Sequence, residues 1–140
     1  MTPARILIVD DHAAVREAIR MLLERHPEYQ VCGEAATAQE AIHRSKEIAP
    51  DIILLDISLP DRSGLDVLPE IRTGSPRSSI LIVSQHDPHH IGPMAQSLGA
   101  KGFISKTSLC HELFPAIEAA LSPHASGQLE QSIRDGFRNC

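Results

Sequence analysis

Short apolar runs that stop abruptly at a polar group set the rhythm of the chain. Ile6-Leu7-Ile8-Val9 stops at Asp10, Ile52-Ile53-Leu54-Leu55 at Asp56, and Ile80-Leu81-Ile82-Val83 at Ser84. Runs of this length without polar alternation predict strands buried on both faces. The predicted strands cover Arg5 to Asp10, Tyr29 to Glu34, Ile52 to Asp56, Ser79 to Ser84 and Gly102 to Ser105.

Between them the apolar spacing changes to that of a helix. Val15, Ile19, Leu22 and Leu23 share one face of a first helix that Pro27 closes. Thr37 with Glu40 forms a capping box, and Ala41, Ile42, Ser45 and Ala49 form the inner face of a second helix ended by Pro50. A third helix is predicted from about Leu65 to Arg72, with Leu68 and Ile71 inward. The segment Gln85 to Pro93 is rich in His, Pro and Gly, so the fourth helix is predicted to start late, near Pro93, and to stop by Gly99. Leu109, Leu113, Ala116, Ile117, Ala120 and Leu121 predict a fifth helix with a kink at Pro115.

Five repeats of strand then helix with short connections imply a parallel sheet covered by helices on both sides, joined by right-handed crossovers. In such a sheet, chemistry collects at the carboxyl edge of the strands. Here that edge receives Asp10, Asp11, Asp56, Ser84 and Lys106.

Composition narrows the setting. At 140 residues the chain is one domain by size, and 42% hydrophobic with 22% charged residues suits a globular fold rather than a disordered one. No apolar run approaches the roughly 18 residues of a membrane span, and the N-terminus lacks a secretory layout, so a cytoplasmic location and no membrane partner are expected. A net charge of -5 argues against direct nucleic acid binding, which needs a basic face. Cys32, Cys110 and Cys140 are odd in number and unclustered, so no disulfide is expected, and Cys32 is expected in the core.

Three carboxylates at about 5 Å repel by roughly 3 kcal/mol per pair at an effective dielectric near 20. Such a group needs partial protonation or a cation, and all-oxygen donors favour a hard ion such as Mg2+. A carboxylate beside that ion is able to attack phosphorus, with lysine and hydroxyl groups offsetting the developing charge. Any one of these aspartates taken alone reads equally well as a helix cap or a strand end. A flavin or nucleotide site would need a Gly/Ser/Thr-rich cradle where Asp10 and Asp11 stand, and the segment ending at Lys106-Thr107 lacks the glycine spacing of a P-loop. An aspartyl-phosphate phosphatase would carry a second Asp where the chain has Ser58. His86, His89 and His90 lack a fourth ligand and read as a solvated loop rather than a metal site.

Taken together, Val9-Asp10-Asp11-His12, Leu54-Leu55-Asp56-Ile57-Ser58-Leu59-Pro60 with Gly64, Ser84, and Gly99-Ala100-Lys101-Gly102-Phe103-Ile104-Ser105-Lys106 resemble the receiver (CheY-like) domain of bacterial two-component response regulators. His12, Gly33-Glu34-Ala35 and Gly64 to Leu68 look most like the NarL/FixJ-like group, whose usual output is a helix-turn-helix DNA-binding domain. The resemblance implies a three-layer α/β/α sandwich, the flavodoxin-like (βα)5 fold, with a five-stranded parallel sheet of order 2-1-3-4-5.

By the same resemblance Asp56 is the phosphoacceptor. Asp11, Asp56 and the backbone carbonyl of Ser58 ligate Mg2+, with Mn2+ as an alternative, and Asp10 acts largely through water. Ser84 and Phe103 form the switch pair, and Lys106 binds the phosphoryl group. Ser58 and His86 border the path of an attacking water and are candidate modulators of phosphoryl lifetime. The implied partner is a sensor histidine kinase or a histidine phosphotransfer protein, and the fourth and fifth helices are the expected homodimer face. His86, Pro88, His89, His90, Gly92, Pro93 and Pro115 depart from the family pattern, so that face is expected to be reshaped, short of one turn or unusually mobile.

The expected organisation is a receiver over 1–121 and a linker-like tail or short terminal helix over 122–140, with Leu129, Ile133 and Phe137 on one stripe and no output domain. The expected function is phosphorylation-dependent control of transcription through a helix-turn-helix domain absent from the chain. A stand-alone receiver acting by docking or phosphorelay is the alternative, and a phosphorylation-dead interaction module the third reading. The chain is not expected to be an enzyme beyond assisting its own phosphorylation and dephosphorylation.

Overall fold

The computed structural model describes residues 2–85 and 88–122. Five strands, β1 (Ala4–Val9), β2 (Tyr29–Ala35), β3 (Ile52–Asp56), β4 (Ser79–Ser84) and β5 (Gly102–Ser105), alternate with five helices. The helices are α1 (Ala13–Glu24), α2 (Ala38–Ile48), α3 (Gly64–Gly74), α4 (Pro88–Ser97) and α5 (Leu109–Leu121). All strand pairs are parallel, in the order β2-β1-β3-β4-β5. Both the fold class and the strand order agree with the sequence expectation.

The period-two pleat explains the layers. Ile6, Ile8, Ile52 and Leu54 pack with Ile19 and Leu23 of α1 and Leu113 and Ile117 of α5. Leu7, Val9, Ile53 and Leu55 face the other way, towards Ala38 and Ala41 of α2, Val67 and Leu68 of α3, and Ala95 of α4. With both faces covered, every residue of β3 is buried, and the unbroken apolar runs follow from that. On β1 and β2 the register slips between Ile6 and Leu7, which leaves Cys32 as the extra residue of a bulge.

The second helix ends one residue before the predicted inner-face residue Ala49, which adopts the left-handed conformation (φ 50°) and caps the helix through its N–H to Ser45 O. The fourth helix corrects the prediction more substantially. It starts at Pro88, not near Pro93, because proline in a first turn has no N–H to leave unpaired and a φ that suits the helix. With ten residues it is not short of a turn. Pro115 lies buried inside α5, which continues to Leu121. Burial of Leu113 and Ile117, at roughly 1.5–3 kcal/mol each, offsets the roughly 3 kcal/mol that an internal proline costs. Leu121, placed inward by its spacing, is 43% exposed.

Cys32 is free and packs at the margin of the core. Cys110 is disulfide-bonded, contrary to the expectation that no cysteine pairs. The tail expected over 122–140 also lies outside them from residue 123 onward. Among the described residues no helix is long and apolar enough to cross a membrane.

The loop after β3 is held tightly. Gly64 N–H donates to Ile57 O at 2.7 Å, and Ser58 and Ser63 form an isolated bridge across it. A Cβ on Gly64 would stand 2.2 Å from Asp56 O, closer than any backbone contact tolerates. Gly64→Ala is therefore expected to cost about 2 kcal/mol, or roughly 6 °C in melting temperature for a domain of this size. A calorimetric melt checks this.

Candidate functional site

β1 and β3 deliver two carboxylates to the same edge. Asp10 and Asp56 are each only 1% exposed. Asp10 is fixed from three sides: its N–H donates to Ala35 O (3.0 Å), its carbonyl accepts from Arg16 Nη1 (2.6 Å), and its Oδ1 accepts the His12 N–H (2.8 Å). Asp56 ends β3, and its Oδ1 accepts the Ser58 N–H at 3.2 Å. Lys106, the first residue after β5, brings Nζ to 2.7 Å from Asp10 Oδ2 and 3.2 Å from Asp56 Oδ1. Asp11 completes the acidic group from a more open position.

Burial and the neighbouring Asp10 push the Asp56 carboxyl above the ordinary carboxylate range, against the lowering pull of Lys106. Burial would lower Lys106, but its hydrogen bonds and the charges of Asp10 and Asp56 outweigh that and raise it. One ammonium thus answers three carboxylates. Asp56 Oδ2 is buried with no hydrogen-bond partner, a state that costs about 1–3 kcal/mol or more. Asp10, Asp11, His12 and Asp56 each place one donor atom within 4.8 Å of the others. The donor chemistry and the orphaned oxygen fit a divalent cation.

The other predicted residues arrive by different routes. Ser84 ends β4 beside β3 and is buried. Phe103 lies on the same face of the sheet as Ser84, because Ile82 pairs with Phe103 and Ser84 with Ser105. Its ring packs on the α3 and α4 side and borders a cavity of about 340 Å³ between β5 and α4, lined also by Gly92, Pro93, Ala95 and Gln96. Ser58 meets Asp56 through its N–H. His86 lies outside the described residues.

Three contacts had not been anticipated. His12 Nδ1 stands 3.1 Å from Asp11 Oδ1 and 3.3 Å from Asp10 Oδ1. Arg16 joins Asp10 to Glu34, with Nε 3.0 Å from Glu34 Oε1, and Arg20 pairs with the same carboxylate. Asp61, in the loop after Asp56, caps α2 by accepting the N–H groups of Ala38 (2.8 Å) and Gln39 (3.0 Å). His12 directly follows the acidic pair and Arg16 sits one helical turn on, so those two carried a local signal. The Asp61 cap is a contact across 23 positions and carried none.

Residues 6–118 match the family described as the response regulator receiver domain. The chain belongs to that family. The receiver is 35% identical over 117 residues to the transcriptional regulatory protein YdfI of Bacillus subtilis, an alignment covering 84% of this chain and 54% of YdfI. It is 31% identical over 118 residues to the nitrate/nitrite response regulator protein NarL of Escherichia coli K12, covering 84% and 55%. A crystal structure of a LuxR-family two-component response regulator from Aurantimonas sp. SI85-9A1 superposes with a TM-score of 0.82 at 38% identity, covering 98% of this chain and 99% of that one. The receiver spans about half the length of the curated transcriptional regulators it matches. Receiver domains act in two-component signalling with histidine kinases and hold Mg2+ at an acidic pocket, and this receiver has such a pocket.

Because the Asp56 value is raised, the folded receiver holds that proton more tightly than the unfolded chain. Metal-free stability therefore falls as pH rises from the ordinary value near 3.8 through the raised one. In chelator at pH 7, Asp56→Asn is expected to be more stable than the wild type by about 1 kcal/mol, or roughly 3 °C. The gap should close near pH 3, and denaturant titrations at the two pH values measure it.

Proposed function

We propose that Asp56 accepts a phosphoryl group from a phosphohistidine on a sensor histidine kinase or a histidine phosphotransfer protein. The observation that carries this reading is Asp56 itself: a buried strand-end carboxylate whose Oδ1 is held by Ser58 N–H and Lys106 while Oδ2 lacks a partner. Oδ2 is the oxygen with a lone pair available for in-line attack on phosphorus. As the O–P bond forms, the P–N bond to the donor imidazole breaks and its electron pair stays on the leaving nitrogen.

Lys106, already within reach of both buried carboxylates, moves its charge to the phosphoryl oxygens without crossing solvent. Asp11, Asp56 and the Ser58 carbonyl would hold Mg2+, or Mn2+ in its place, with Asp10 acting largely through water. That ion, when bound, supplies further positive charge for the phosphoryl oxygens.

The new phosphate carries about -1.5 to -2 charges and draws the Ser84 hydroxyl towards it. Phe103, on the same face and beside the 340 Å³ cavity, then has room to change rotamer, which turns a small shift into a two-state change on the α4 and β5 face. Homodimerisation through α4 and α5, and control of transcription through a helix-turn-helix domain, are the outputs we assign, the second supported by the likeness to a transcriptional regulatory protein. We place the receiver in the cytoplasm, with residues 1–121 as the signalling unit.

The test is incubation with Mg2+ and a small acyl phosphate, followed by intact mass. The wild type should gain one base-labile phosphoryl adduct and Asp56→Asn none. A wild type without the adduct, or a variant that keeps it, would falsify this assignment.

A further inference from the structure

His12 occupies the N-cap of α1, where a side chain ordinarily accepts a hydrogen bond from the first turn, yet its ring makes no such bond. Instead the backbone N–H is anchored to Asp10 Oδ1 (2.8 Å), and ring Nδ1 points back at the carboxylates, 3.1 Å from Asp11 Oδ1 and 3.3 Å from Asp10 Oδ1. Ligand atoms that share one cation with bonds near 2.1 Å are separated by about 3.0 Å in an octahedron and about 3.4 Å in a tetrahedron. The 3.1 Å to Asp11 Oδ1 falls in that interval, and the 3.3 Å to Asp10 Oδ1 is a hydrogen-bond contact that holds the ring beside the site. An independent feature also points to a missing ligand in this cluster: Asp56, 1% exposed, has its Oδ2 buried and unpartnered among the same groups.

We propose that His12 is a further protein ligand of the acidic site and determines its metal preference, shifting it from Mg2+ towards nitrogen-seeking first-row cations such as Zn2+, Ni2+ and Co2+. The inference rests on the reading of Asp10, Asp11 and Asp56 as a divalent-cation site. Three carboxylates alone suit Mg2+, which keeps oxygen donors and water, whereas an imidazole suits the later transition metals. Asp10 is divided between two tasks: Oδ2 faces Lys106 and Oδ1 faces His12, so a cation bound by Nδ1 leaves the Lys106 ion pair in place. The ring is 65% exposed, so it enters coordination without dismantling the core. The receiver would then respond to which divalent cation is available as well as to its kinase.

The full chain with 15N-labelled histidine is titrated with Zn2+ and, separately, with Mg2+. The ring nitrogen resonances are recorded, and both affinities are measured by calorimetry. One equivalent of Zn2+ should move the Nδ1 resonance of His12, assigned by its absence in His12→Gln, while Mg2+ leaves it in place. His12→Gln should bind Zn2+ at least about tenfold more weakly, a loss that even outer partners of a metal produce, and bind Mg2+ within about twofold of wild type. An unmoved His12 resonance, or an equal loss of both metals in His12→Gln, overturns the proposal while leaving the acidic site intact. If Asp11→Asn and Asp56→Asn keep full affinity for both cations, the reading of the acidic site fails with it.

Discussion

Two carboxylates, Asp10 and Asp56, are buried together at one sheet edge with a single ammonium between them. Lys106 reaches both, but Asp11 adds a third negative charge, and Asp56 keeps one oxygen with no partner. In a medium where like charges at this range repel by several kcal/mol, the group is held by its surroundings rather than by its own attraction. Much of the surrounding structure serves to hold it. Arg16 and the Ala35 carbonyl lock the Asp10 backbone, the Ser58 N–H fixes one Asp56 oxygen, and Asp61 ties the loop after Asp56 to the start of α2. A site strained in this way is poised to take a cation and a phosphoryl group.

The fold makes such crowding affordable. Strands buried on both faces give two separate apolar layers, one under α1 and α5 and one under α2, α3 and α4. Their carboxyl ends are rigid because β3 is buried along its whole length and paired on both sides. Beside Phe103 the surface opens into the cavity between β5 and α4. Stiffness at Asp56 and space at Phe103 are complementary: the first fixes where charge arrives, and the second lets the fold answer it.

Much of this was legible in the chain. The apolar runs ending at Asp10, Asp56 and Ser84 placed the strands because double burial removes any need for alternation, and the same runs placed the acids at one edge. The start of the fourth helix was misjudged because Pro88, in a stretch rich in His and Gly, read as loop, while a first-turn proline costs a helix almost nothing. At Pro115 the helix predicted through the proline is the one observed, and the burial of Leu113 and Ile117 that offsets the propensity cost depends on tertiary packing. The Asp61 cap and the bridge from Arg16 to Glu34 join residues distant in sequence, and no local pattern encodes them.

The central claim is that the buried acidic group is incomplete without a divalent cation. Calorimetric titration of Mg2+ into the chain tests it most directly. The account requires one saturable site per chain that is lost in Asp56→Asn. Absence of binding in the wild type, or equal binding in the variant, would contradict it.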